Sequence, residues 1–384
     1  METADLGIVG GGTIGLALAG RLAQHFERVV LFDRKHTCRE ATYASGGMLA
    51  PFMETEFGEE DLLELNRRSL ERFPDFVSSL RQATRGRLGY RRNGSLFVAV
   101  DEQQVTELNR LARYQSRLGL SFERLSQRQL RRQVSHLSES VETGIYFEAE
   151  GHINNRLLGL ALRQRAQKRG VDLRINDPVE VIEYGEDGRV NCLRTRRGSV
   201  QVSRLIIAAG AWSGKLNGLK ERDSLPVRPV KGQAFSVRPD PKVNLDTIVR
   251  SPNFYCVPHD PERIIVGASV EEKGFTPGNT AGEIMTLLEQ SSRVIPGLRD
   301  CPLQETWSGD RPAPLDNKPI IGPSSVTPNL YFATGHYRNG ILLTPITEKL
   351  LSQTILDGQP PSELKPFLPG RFQQPSRYSG SRTA

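Results

Sequence analysis

The chain has 384 residues, 37% hydrophobic and 25% charged, with a formal net charge of +7. That length supports a large core shared between two domains, and the composition is that of a globular chain, not a disordered one. The 51 basic and 44 acidic residues are scattered along the chain, and basic runs such as LRQRAQKRG (162–170) are short, which argues against nucleic acid as a partner.

Residues 6–9 (Leu-Gly-Ile-Val) read as a short buried strand, 10–12 as a glycine turn, Thr13 to about His25 as a helix, and Arg28 to Phe32 as a second strand. The apolar run at 6–20 follows Glu2 and Asp5, so no signal peptide is expected. It is also too short for a membrane span. Residues 61–80 read as a helix with Leu70, Phe73, Val77 and Leu80 on one face, 94–100 as a strand, and Val105 to Leu118 as another helix. A basic amphipathic helix follows over 155–169, then a strand over 171–175 and a meander over 188–210 that ends in a buried strand. Further strands are expected at 231–237, 254–259 and 263–269, and a helix at 281–295 through Ile284, Leu287, Leu288 and Ile295. Thr344-Pro345 reads as a helix start, with Thr as N-cap and Pro at the first helical position. The stretch from 366 to 384 has few core residues and is expected to be a mobile tail. The four cysteines are far apart and have no metal spacing, which fits reduced thiols in a cytoplasmic protein and no metal.

Helices and strands alternate at the start, around 155–210 and at the end, while the middle is richer in strands. The expected fold class is α/β with α+β character: a discontinuous Rossmann-like domain with an inserted, mostly antiparallel β domain. The Rossmann-like domain would take residues 1–85, 150–225 and 305–365, and the inserted domain 86–149 and 226–304.

Gly10-x-Gly12-x-x-Gly15 lies between the first strand and the first helix, where a dinucleotide fingerprint belongs. Gly10 permits the turn, Gly12 lets the backbone approach a pyrophosphate, and Gly15 lets the helix pack closely on the sheet. The phosphates would lie on the helix N-terminus. Asp33, eighteen residues after Gly15, can accept from both ribose hydroxyls and would repel a 2′-phosphate, which argues against NADP. The motif does not separate FAD from NAD. RLIIAAGAWSGKL (204–216) favours FAD if it returns to the first βαβ unit. A plain core strand ending in a turn is the other reading.

Four more stretches carry a resemblance: ATYASGGMLAP (41–51), PVKGQ (229–233), WSGDRPAPLDNKPIIG (307–322) and GHYRNGILLTP (335–345). With the fingerprint, they make residues 5–358 similar to the FAD-dependent D-amino-acid oxidase and glycine oxidase family, nearest its glycine oxidases of thiamine biosynthesis. The resemblance implies non-covalent FAD in the first domain and a small amino acid in the inserted one. It places Thr13 and Ile14 at the pyrophosphate, Asp33 and Arg34 at the adenosine, Ala41 and Thr42 next to the phosphates, and Val179 at the adenine. Gly46, Gly47 and Met48 would lie against the isoalloxazine, and His336, Tyr337, Arg338, Asn339, Gly340, Ile341 and Leu342 around its pyrimidine end. It implies that Arg311 grips the substrate carboxylate, with Arg338 and Tyr255 beside it, and that the protein is a homo-oligomer, a tetramer. Asn253, Val270 and the HINN stretch at 152–155, which lacks a proline often found there, depart from the family's pattern.

The chemistry follows from these residue types. A guanidinium fork matches a carboxylate with two parallel charge-assisted hydrogen bonds, which suits Arg311. Ser45 and Ser213 lack the nucleophile-elbow pattern, and hydride transfer from a neutral amino acid needs no general base, so His336 is expected to position, not to catalyse. Negative charge on the reduced flavin would meet backbone N–H groups near Gly340–Leu342 and the following helix start. The implied reaction is oxidation of glycine, sarcosine and small D-amino acids by O2, giving imine or glyoxylate, ammonia and hydrogen peroxide, with a role in thiazole formation. The alternatives are a D-amino-acid or N-methyl-amino-acid dehydrogenase that reduces a quinone, and a binding subunit that keeps FAD as a structural element.

Overall fold

The computed structural model describes residues 2–372 apart from 241, 242 and 244. The chain divides into two compact units, one of residues 1–41, 159–229 and 311–384, the other of residues 42–158 and 230–310.

The first unit is built on a six-stranded sheet in the order Ile320–Pro323, Leu330–Thr334, Leu205–Ile207, Leu6–Val9, Val29–Asp33, Asp172–Ile175. The last five strands run parallel, and Ile320–Pro323 pairs antiparallel at the edge. All four residues of Leu6–Val9 are buried, as expected of a parallel strand covered on both faces. The helix Thr13–Leu22 buries every residue but Arg21. Its Gly20 lets Arg165 approach. There Arg165, from the helix Asn155–Lys168, pairs with Glu348 of the helix Thr344–Asp357 and donates to the Ala17 carbonyl at 3.1 Å. One buried guanidinium therefore ties three helices together. Burial raises the Glu348 pKa and Arg165 opposes that shift. A four-stranded sheet, Glu2–Ala4, Gly198–Val202, Val190–Thr195 and Val179–Tyr184, completes the unit.

The second unit is centred on an eight-stranded sheet in the order Leu303–Pro314, Val227–Val237, Arg263–Gly267, Phe254–Asp260, Ile248–Ser251, Ser95–Ala99, Thr143–Phe147, Glu123–Ser126. From Val227–Val237 onward its pairs are antiparallel, except that Ile248–Ser251 and Ser95–Ala99 run parallel. The helix Ala281–Val294 buries Leu287 and Val294 in a cluster with Phe235, Cys256 and Val266. The fold class is the mixed α/β one expected from the sequence.

Three expectations need correction. The helix Glu60–Thr84 clusters with the second unit, so the first join falls after residue 41 and not at 85. Its Glu60 accepts from the Tyr114 hydroxyl at 2.7 Å and its Phe73 stacks on Tyr90. An amphipathic stripe says that a helix is half-buried, not what covers it. Thr344 is the first helical residue rather than the N-cap, which is Leu343. Turns over 340–343 already wind into the helix, so the Thr344 hydroxyl points back to the Gly340 carbonyl at 2.8 Å. The ordered chain also runs past Pro366. Phe367 is buried, and the Arg371 guanidinium holds Asp316 and the carbonyls of Lys318, Phe367 and Leu368. The rest of the expected tail, from 373, lies outside the described residues.

Candidate active site

In the first unit the glycine loop joins the carboxyl end of Leu6–Val9 to the helix Thr13–Leu22, where doubly wound sheets bind their ligands. Gly10 has φ +111°, and a Cβ there would strike the Ala208 carbonyl. A Cβ on Gly15 would strike the Gly10 carbonyl. Gly12 caps the helix without a side chain, and the first turn carries no acid. Its N–H groups and dipole therefore suit an anion. Gly11, to which the fingerprint gives no role, donates its N–H to Asp33 Oδ2 at 2.7 Å. A Cβ on Gly11 would come within 2.8 Å of that oxygen. The other Asp33 oxygen accepts the Lys35 N–H at 2.8 Å, and burial raises the Asp33 pKa. Two backbone donors thus aim this carboxylate. Arg34 stacks over the Trp212 ring at 3.6 Å, which brings the GAWSG turn beside the Asp33 strand end.

The segment leading to Val179 lies against the same corner. Asn176 and Asp177 donate backbone N–H groups to the carbonyls of Lys35 and Asp33. Asp177 is fully buried, and neither carboxylate oxygen has a hydrogen-bond partner among the described residues. An orphaned acceptor pair matches a guest edge rich in donors, as adenosine is. Sequence reasoning missed Asp177 because an Asp before Pro reads as an ordinary turn.

Also in the first unit, the loop 335–343 lies against the strand end that carries Arg311. The Tyr337 N–H donates to the Pro312 carbonyl at 3.0 Å, bringing the Arg338 loop and the Arg311 strand together. Gly335 passes so close to Pro314 that a Cβ would lie 2.5 Å from its ring. Arg311, Tyr337, Arg338 and Gly340 are half-buried, whereas His336, Asn339, Ile341 and Leu342 are buried. His336 meets Thr347 Oγ1 through Nε2 at 3.0 Å, and burial holds its pKa down at about 3, so the ring is neutral.

The second unit carries Thr42, Gly46, Gly47, Met48 and Tyr255; Ala41 closes the first unit's first segment. Gly47 has φ +72°, and a Cβ there would strike the Ile153 carbonyl. The Tyr255 ring fills a slot between two glycines. A Cβ on Gly46 would lie 2.8 Å from it, and one on Gly267 would lie 2.7 Å from it. Gly267 was not singled out from the sequence, although a glycine ending a strand is a signal for close approach. Gly267→Ala is expected to push the ring aside and raise KM for an amino-acid substrate about tenfold, the effect of ~1–2 kcal/mol of overpacking. Steady-state kinetics check it, and an unchanged KM would detach Tyr255 from substrate binding. Of the departures noted in the sequence, Asn253 and Val270 are both exposed.

Among the described residues no cluster of three or more His, Cys, Asp or Glu could hold a metal, and no helix is long and apolar enough to cross a membrane. The open helix N-terminus, the aimed Asp33 and the orphaned Asp177 fit a dinucleotide.

The family model for FAD dependent oxidoreductases matches residues 5–354. The chain is 36% identical over 376 residues to the bifunctional protein ThiO/ThiG of Trichormus variabilis, an alignment covering 97% of this chain and 56% of that protein. It therefore spans little more than half the length of such curated relatives. The crystal structure of glycine oxidase from Geobacillus kaustophilus superposes with a TM-score of 0.89 at 29% identity, covering 99% of this chain and all of that one. That of glycine oxidase from Bacillus cereus gives 0.87 at 29% identity, covering 95% and 98%.

Proposed function

We propose that this chain, which belongs to the FAD dependent oxidoreductase family, oxidises glycine, and also sarcosine and small D-amino acids, with O2. For glycine the balance is glycine, O2 and water to glyoxylate, ammonia and hydrogen peroxide. FAD, when bound, would supply the acceptor for the hydride from the α-carbon and the route by which the electron pair reaches O2. Gly10, Gly12, Thr13, Ile14 and Gly15 hold its pyrophosphate, Asp33, Arg34 and Val179 its adenosine, and Ala41, Thr42, Gly46, Gly47, Met48 and residues 336–342 the rest. Arg311 holds the substrate carboxylate in its fork, with Arg338 and the Tyr255 hydroxyl as further partners. His336 is neutral and engaged with Thr347, so it orders the loop and moves no proton.

The observation that carries this reading is the Tyr337 to Pro312 hydrogen bond, which sets one arginine-bearing segment against the other. Two cations so placed suit a small acid. The near full-length likeness to glycine oxidases supports the same substrate class. On this reading the imine feeds thiazole formation in thiamine biosynthesis, and the protein works in the cytoplasm as a homo-oligomer, which light scattering tests. The deciding experiment is a coupled peroxide assay on the purified yellow protein with glycine, sarcosine, D-alanine and D-proline. The expected result is one peroxide per glyoxylate. Reduction of a quinone analogue by these substrates without peroxide would overturn the oxidase.

A further inference from the structure

Asn155 is fully buried within the second unit, at the first position of the helix Asn155–Lys168. Its Nδ2 donates to the carbonyls of Thr42 at 2.6 Å and Tyr43 at 3.1 Å, and its Oδ1 lies 3.1 Å from His259 Nε2. The two carbonyls fix which way the amide faces, because only its nitrogen can donate to them. Its oxygen therefore accepts, and His259 must carry its proton on Nε2. His259 is itself buried, and desolvation holds its pKa down at about 3, so it stays a neutral donor.

The stretch that Asn155 grips is fixed at two more carbonyls. Trp307 Nε1 donates to Ala44 at 3.0 Å, and the Ile153 N–H donates to Gly47 at 2.9 Å. Of these four fixed carbonyls between Thr42 and Gly47, one carboxamide holds two. The HINN stretch at 152–155 lacks a proline often found there. The structure instead gives the asparagine a buried side chain with three partners.

We propose that the Asn155 carboxamide is a positioning residue for the flavin, holding the Thr42–Gly47 backbone in the form that seats the ring. This rests on the reading above that the stretch lies at FAD. The helix start does not depend on that carboxamide. Asn154 Oδ1 caps it, accepting the N–H groups of Arg156 at 3.1 Å and Leu157 at 2.9 Å. A first-position N–H has no intrahelical partner, so proline is tolerated there. Asn155→Pro therefore removes the clamp and keeps the helix.

The test compares wild type, Asn155→Pro and Asn155→Ala after FAD is stripped and titrated back by flavin fluorescence quenching. The expected outcome is a rise in the FAD Kd of about tenfold or more, the worth of one or two net hydrogen bonds. The visible circular dichroism of bound flavin should change, while the thermal midpoint of the apoprotein moves little. An unchanged Kd and an unchanged dichroism spectrum would overturn the proposal. So would a fall in apoprotein midpoint with FAD affinity intact, since that marks a merely structural asparagine. Should neither variant accumulate, Asn155→Ser, which keeps one donor, carries the same measurements. These readouts use no amino acid, so a wild type that ignores glycine would sink the proposed activity and leave this inference standing.

Discussion

Arg311→Leu is expected to raise KM for glycine steeply while the purified protein stays yellow. Truncating one partner of a buried charge pair costs about 2–5 kcal/mol, which is about 30-fold to a few thousandfold in affinity. Leucine keeps the apolar stem of a half-buried side chain and removes the fork. The backbone around it is held by other groups. Arg228 donates to the carbonyls of Ala313 at 3.4 Å and Pro314 at 2.8 Å, and Tyr337 donates to Pro312. The strand end should therefore keep its path. Arg311→Lys separates charge from geometry. It keeps the cation but loses the bidentate match, so its KM should fall between the two. Kinetics over a wide glycine range, with the flavin spectrum recorded on the same samples, check this. An unchanged KM removes Arg311 from the carboxylate, and loss of flavin colour would move its role from the substrate to the cofactor.

The parts of this site legible in the sequence are those where backbone geometry demands one residue type. Gly10 and Gly15 could be read because no side chain fits beneath the Ala208 and Gly10 carbonyls, and Asp33 because its place at a strand end follows from the βαβ spacing. The strands Leu6–Val9 and Phe254–Asp260 fall within a residue of their expected ends for the same kind of reason, since short apolar runs bounded by turns leave little choice. Illegible features depend on partners in other elements of the fold. Gly267 looks like any strand end until the Tyr255 ring lies against it, and Asn155 looks like a helix start until Thr42 and Tyr43 appear at its amide. The amphipathic pattern over 61–80 names the helix Glu60–Thr84 but gives no hint of the unit that owns it. Local rules find local necessities, and contacts across a hundred residues need the fold.

Glu150→Gln is expected to make the protein more resistant to alkali. Glu150 is fully buried in the second unit. It accepts the N–H groups of Phe52 at 2.5 Å and Met53 at 2.9 Å and pairs with the Ser95 hydroxyl. Burial, opposed by these hydrogen bonds, pushes its pKa from 4.5 up to about 8. The sign follows from linkage. With the folded pKa above the unfolded one, the contribution to stability is complete below about pH 4.5 and is lost progressively as pH rises through about 8, a span worth on the order of 5 kcal/mol. Glutamine places an oxygen before Phe52 and Met53 and an N–H before Ser95 Oγ, and it never ionises. Near pH 4.5 the two proteins should therefore unfold at similar denaturant concentrations. By pH 9.5 wild type should unfold at clearly lower denaturant than the variant. Subtracting the two curves cancels every other titrating group, so parallel curves across that range would mean that Glu150 stays charged in the fold. The loop 50–53 follows directly on Gly46, Gly47 and Met48. The cost of a buried charge favours opening of this loop to water, so retention of FAD should decline over the same pH interval in wild type and hold in Glu150→Gln.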